Sequence, residues 1–224
     1  MTKTDRAALS VFTAPDPDTA AAGDVPTADL LDAARAIQDD VVAIRRRIHR
    51  QPEIGLDLPK TQAVVLEQLA KLGLEGTKGR GLSSVVAVIE GGRPGPTVLL
   101  RADMDALPLH EDTGLDFSSE IDGVMHACGH DTHVAMLLGA ARLLQERRAE
   151  LPGKVILMFQ PGEEGLGGAK TMLKEGLLEA AGPTKPTGAF ALHIGTRYPT
   201  GEIHLRPGPE LAAADVVQIT VRGR

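Results

Sequence analysis

Residues 154–164 read KVILMFQPGEE, an apolar run that stops at Pro161 and Gly162 and then presents two adjacent acids, Glu163 and Glu164. Runs of the same kind recur at 83–90 (SSVVAVIE), 97–100 (TVLL) and 188–192 (GAFAL), and stretches of helical period at 133–148 and 169–181 separate them. Strands that alternate with helices predict an α/β fold whose mixed, largely parallel sheet is covered by helices. The turn GGRPGP at 91–96 predicts an antiparallel hairpin between the first two strands.

Upstream, Leu30, Ala34, Ile37, Val41, Ile44 and Ile48 recur by threes and fours, which predicts one long amphipathic helix with Thr27 as N-cap and Pro52 beyond its end. Its last turn carries Arg45, Arg46, Arg47 and Arg50, read as a solvated basic face that suits the helix dipole. A second helix is predicted from Val65, Leu66, Leu69 and Leu72 ahead of Gly73. Residues 1–26, rich in Ala, Asp, Thr and Pro, read as a disordered leader. Two further strands are predicted near the end, from GEIHLRPG (201–208) and AADVVQITVRGR (213–224).

Composition narrows the function. The 224 residues include four Phe, one Tyr and no Trp, so the core is aliphatic and a stacking platform for single-stranded nucleic acid has almost nothing to build with. A balance of 24 basic against 30 acidic residues argues against a nucleic-acid or anionic-membrane partner. One cysteine, Cys128, excludes a disulfide scaffold, and a lone thiol without an apolar signal sequence makes the cytoplasm the expected location.

Polar clusters follow the strands. Asp103 and Asp105 come after TVLL, Glu163 and Glu164 after KVILMF, and His193 after GAFAL, while His126, Cys128, His130, Asp131 and His133 precede or open a helix. Ligands of open α/β sheets bind at the carboxyl ends of strands, so these segments converge on one rim. Thiolate, imidazole and carboxylate are the ligands of zinc or a similar divalent ion. In extended backbone Cys128 and His130 point the same way, as do Asp103 and Asp105, whereas Glu163 and Glu164 point apart. That division suits one metal ligand beside one general base. His49, His110 and His204 lie outside the pattern, and it assigns no role to His126 or His133.

In order and spacing, RRRIHRQPEIG (45–55), LLRADMDALPL (99–109), MHACGHDTHVAMLLGAARLL (125–144), FQPGEEGLGGA (159–169) and ALHIG (191–195) resemble the dinuclear metal amidohydrolases. That family includes hippurate hydrolase, N-acyl-amino-acid hydrolases and indoleacetyl-amino-acid hydrolases, a branch of the aminoacylase and carboxypeptidase metallopeptidase superfamily. The resemblance implies a zinc-peptidase-like catalytic domain holding two divalent ions of zinc, manganese, cobalt or nickel. Metal ligands fall on Cys128, His130, Glu164 and His193, the catalytic carboxylate on Glu163, and an acid that orients a ligand from behind on Asp105. Asp103 stands where other branches carry a histidine. The implied reaction is hydrolysis of a small N-acyl amino acid, with water activated by the ions and deprotonated by Glu163. An aminopeptidase or dipeptidase of the same superfamily and a non-catalytic metal-binding remnant are the alternative readings.

The resemblance also divides the chain into the leader at 1–26, the N-terminal part of the catalytic domain at 27–212, and, at 213–224, the first strand of an inserted α+β dimerisation or lid domain. Most of that inserted domain and a final His ligand would lie beyond Arg224, so this chain is expected to be inactive alone, and full-length members are expected to be homodimers.

Overall fold

The computed structural model describes residues 27–205, 207, 208, 217 and 219–223, so the leader expected at 1–26 lies outside the described residues. The chain divides into two units, residues 1–192 and 193–224. In the first, the order is α1 (Thr27–Ala36), α2 (Gln38–Arg50), α3 (Pro59–Lys71), β1 (Thr77–Lys78), β2 (Val85–Glu90), β3 (Arg93–Asp103), α4 (His130–Glu146), β4 (Pro152–Gln160), α5 (Gly168–Lys174), a 3-10 turn (Leu177–Glu179) and β5 (Gly188–Ala191). The long first helix is two helices, broken at Ile37, whose φ of −103° and ψ of 2° leave the helical region.

The five strands form one mixed sheet in the order β1-β2-β4-β3-β5. β3 runs parallel to both β4 and β5, while β2 is antiparallel to β1 and β4. The predicted hairpin is therefore absent, because β4 lies between β2 and β3. Residues 91–93 instead bond the segment that leads into β4: Gly91 donates to Gly153 at 2.9 Å, Gly92 to Arg148 at 2.6 Å and Arg93 to Leu151 at 3.3 Å. Backbone meets backbone here, and a Cβ on Gly91 would lie 2.2 Å from the Leu151 carbonyl oxygen.

β4 explains the continuous apolar run. Val155, Leu157 and Phe159 face a core shared with Val85, Ala87, Ile89 and Ala102 of the sheet, Val64, Val65 and Leu69 of α3, and Val134, Leu137, Leu138 and Ala141 of α4. Ile156 and Met158 face the opposite core, with Leu99, Met172 and Leu177. A strand covered on both faces leaves no room for polar alternation. On the helical layer, α2 crosses α4 closely at Gly139, where a Cβ would come within 3.0 Å of Val41 Cγ2. β5 forms the other sheet edge and is open, with Phe190 62% exposed.

In the second unit, the described residues of 201–208 and 213–224 carry no strand. Their alternating apolar side chains, Ile203, Leu205, Val217, Ile219 and Val221, are exposed, so among the described residues the alternation has no sheet to face. No helix among the described residues is long and apolar enough to cross a membrane.

Gly91→Ala should lower stability by roughly 1–3 kcal/mol, since an overpacked backbone contact cannot relax by a rotamer change. The midpoint of urea unfolding measures it, with Gly114→Ala, where a Cβ meets nothing but the φ is +64°, isolating the cost of backbone strain alone.

Candidate metal centre

The parallel register of β3 and β4 sets Asp103 opposite Gln160, so both strands end together. Met104 N–H extends the ladder one step by donating to the Gln160 carbonyl at 2.8 Å. Beyond that rung Asp105 accepts the Glu163 N–H on Oδ1 at 3.0 Å and the Glu164 N–H on Oδ2 at 3.1 Å. One buried carboxylate thus fixes the turn that carries both glutamates.

That turn alters the expected division between them. Glu163 and Glu164 occupy a tight loop, closed by Gly165 N–H on the Glu163 carbonyl, and not extended backbone. Donor atoms of both, together with one of His130, lie within 4.8 Å of one another. His130 arrives from the other side, as the first residue of α4 after Gly129, whose φ of +82° turns the chain between Cys128 and His130. Its Nδ1 is 3.5 Å from Asp105 Oδ1, and its Nε2 is 3.8 Å from Asp103 Oδ2 and 4.0 Å from Glu163 Oε2.

Asp103 is buried and accepts hydrogen bonds from His133 Nδ1 and, at 3.0 Å, from Arg101 Nη2. Arg101 is itself held by the Gln160 side chain at 2.7 Å. His133, unassigned by the sequence, therefore fixes Asp103, and one atom each of Asp103, His130 and His133 forms a second convergent buried group. His126 is also buried, and neither of its ring nitrogens has a hydrogen-bond partner among the described residues.

The charges are lopsided. Burial opposes ionisation of Asp103 and Asp105, yet the His133 and Arg101 contacts of the first, and the His130 and backbone contacts of the second, hold both below the usual carboxylate range. Burial pushes the His130 pKa down, but Asp105, Asp103 and Glu163 outweigh it and raise it. Burial, a hydrogen bond with Glu164, and the charges of Glu164, Glu163 and Asp103 push the Cys128 thiol up to about 12. Burial depresses His126 to about 4, keeping it neutral. Four carboxylates and a thiol thus surround His130, an excess of negative charge and of hard and soft donors that fits a divalent cation.

His193, the fourth ligand candidate, is the first residue of the second unit, two positions past β5. Its Nδ1 donates to the Ile194 carbonyl at 2.6 Å, which orients Nε2 as an acceptor, the arrangement metal-binding imidazoles adopt. His110 and His204 are surface groups beside Asp122 and Glu202.

Comparison with known proteins accords with this geometry. Residues 99–223 match peptidase family M20/M25/M40. The chain belongs to that family. Among relatives, thermostable carboxypeptidase 1 of Saccharolobus solfataricus is 48% identical over 193 residues, covering 85% of this chain and 48% of its own. IAA-amino acid hydrolase ILR1-like 2 of Arabidopsis thaliana is 42% identical over 197 residues, covering 87% and 44%. The structure of Bacillus subtilis YXEP, described as a dinuclear metal binding peptidase from the M20 family, superposes with a TM-score of 0.66 at 39% identity over 71% of this chain and 43% of that one. The chain spans about half the length of these M20 relatives. Its mixed, helix-covered sheet is the fold of their catalytic part.

Asp105→Asn should cost about 1–3 kcal/mol, because an amide offers one acceptor where two N–H groups point and sets an N–H against the other. Denaturant unfolding of the metal-free protein reads the loss, and a change below about 0.5 kcal/mol would remove Asp105 from the role of turn anchor.

Proposed function

We propose that this chain is the N-terminal catalytic part of a metal-dependent amidohydrolase that releases an amino acid from an N-acyl group. The observation that carries the reading is the convergence of His130, Glu163 and Glu164 at the ends of β3 and β4, on a turn anchored by Asp105. Cys128, His130, Glu164 and His193 would hold two divalent ions, which when bound supply Lewis acidity and activate water near neutral pH. Relatives named as an IAA-amino acid hydrolase and an N-acetylcysteine deacetylase support an N-acyl amino acid as substrate.

Glu163 acts as the base. Its carboxylate is 39% exposed, open to a substrate, while its backbone is fixed by Asp105. It takes the proton of the attacking water and returns it to the departing amine as the C–N bond breaks. Glu164, hydrogen-bonded to the Cys128 thiol, would share a cation with it once that thiol gives up its proton.

A peptide-bond reading has one specific support, the carboxypeptidase name of the 48% identical relative. Both substrates present an amide whose nitrogen belongs to an amino acid with a free carboxylate, and hippurate against an unblocked dipeptide separates them.

In a version of the protein extended to the length of its relatives, Glu163→Gln should leave bound metal unchanged and lower kcat on hippurate by about 10²–10⁴. Glu164→Ala or His193→Ala should instead lower the metal found by elemental analysis. Turnover retained in Glu163→Gln would end its role as base, and metal retained in both other variants would end the ligand assignment.

A further inference from the structure

The buried contact between α2, α4 and the long connection from β3 to α4 holds a charged cluster that the proposed chemistry does not use. His49 of α2 is 2% exposed, Asp131 is fully buried and the Glu111 side chain is 2% exposed. His49 Nδ1 lies 2.8 Å from Asp131 Oδ2 and its Nε2 lies 3.2 Å from Glu111 Oε1. Arg45, one turn earlier on α2, donates its Nε to the same Asp131 oxygen at 2.7 Å. Phe117 closes the cluster, its ring 5.4 Å from that of His49 and capped by the guanidinium groups of Arg45 at 5.0 Å and Arg46 at 4.6 Å. The arginine run is therefore not only a solvated face.

We propose that His49 is a positioning residue for the metal centre: protonated on both ring nitrogens, it ties Glu111 of the connection to Asp131 of α4 and so fixes the Cys128–Gly129–His130 turn. The proposal rests on the metal reading above.

Hydrogen accounting leads to it. An ionised carboxylate only accepts, so a ring with a carboxylate at each nitrogen satisfies both only as imidazolium. A proton on Glu111 is the alternative, and its surroundings oppose that. Glu111 also accepts the Ser119 N–H at 2.7 Å and the Thr113 hydroxyl at 2.5 Å, so its hydrogen-bonding neighbours among the described residues are donors. Asp131 Oδ2, the oxygen beside the ring, likewise faces only donors, Arg45 and His49, while its buried Oδ1 has no hydrogen-bond partner among the described residues.

The groups around the ring are Arg45 and Arg46 on α2, Glu111 and His126 on the connection, with the His126 ring 6.1 Å away, and Asp131 on α4. The Asp131 hydrogen bond is the largest influence on His49, burial opposes it and Glu111 adds to it, leaving the ring pKa above its ordinary 6.5. Burial opposes ionisation of Asp131 and Glu111, but their hydrogen-bond donors hold both below the usual range.

Asp131 is the residue after His130, so the position of one sets the position of the other. Glu111 organises the connection around Ser119, and Arg50 secures the same stretch by accepting the Glu120 N–H on its carbonyl at 2.9 Å. The linkage has a defined sign. His49 contributes stability in full below pH 6.5, and the contribution disappears as pH rises through the raised folded value. Glu111 contributes above its ordinary value of 4.5, and loses it as pH falls through the lowered one.

The test uses the full chain with nitrogen-15-labelled histidine. Ring nitrogen shifts of His49 between pH 6 and 9 should report both nitrogens protonated at pH 7, with titration above 6.5, and Glu111→Gln should move that titration downward. Zinc affinity, measured by indicator competition well below the unfolding temperature, should weaken about 10–100-fold in His49→Gln. Arg47→Gln serves as control, since Arg47 pairs on the surface of the same helix with Glu67. A neutral ring in the wild type at pH 7 overturns the proposal, as does a folded His49→Gln with unchanged zinc affinity. If His49→Gln does not fold, Glu111→Gln takes its place, with weakened zinc as the supporting result and unchanged zinc as the overturning one. A wild-type chain that binds no zinc overturns the metal reading instead, and the ring titration with its Glu111→Gln shift then decides the state of His49.

Discussion

The site depends on Asp105 using both carboxylate oxygens at once. Parallel pairing brings the ends of β3 and β4 level, but pairing stops at Asp103 and Gln160, and nothing in a β-ladder dictates what the chain does next. Two N–H acceptors on one rigid group remove that freedom, since the Glu163 and Glu164 amides must sit within about 3 Å of oxygens fixed to the end of β3. Charge-assisted bonds of this kind are stronger than neutral ones, and burial of Asp105 removes the competing water. The same Oδ1 faces His130 Nδ1, so one carboxylate sets the strand-end turn and the helix start in a common frame.

Much of this architecture is legible in the residues. KVILMF predicts a helix-covered strand because both its faces meet apolar layers, and the acids behind two such runs mark the rim where chemistry collects. Strand order is not legible. A short Gly-rich turn is a local signal for a hairpin, whereas the contact that separates β2 from β3 is made by Gly91 with Gly153 and Gly92 with Arg148, 62 and 56 positions away. The break at Ile37 is hidden for a related reason, since the apolar spacing continues through it and only a dihedral records the interruption.

His49 shows the limit for site residues. A histidine one residue before the end of a helix carries no spacing pattern, and its partners stand 62 and 82 positions later. The available signal is its place one turn after Arg45 on the face that carries Ile48 into the core, which gives two basic groups a buried aspect. His133 is similar. Its position three residues past His130 puts it on the same face of α4, yet only the fold shows that Asp103 is its partner.

Two buried clusters therefore meet at the first turn of α4, and their charge accounts differ. Around Asp131 the cluster closes on itself: Arg45 and a protonated His49 against Asp131 and Glu111 sum to zero, so burying it needs no further ion. Around His130 the carboxylates of Asp103, Asp105, Glu163 and Glu164 outnumber Arg101, the one fixed cation there among the described residues, and burial together with that surplus keeps the Cys128 thiol protonated. Successive helical residues point about 100° apart, which lets His130 and Asp131 serve different clusters from adjacent positions. The balanced cluster can be rigid without a ligand. The unbalanced one gains most from a cation, and it gains only if the balanced one beside it keeps the turn in place.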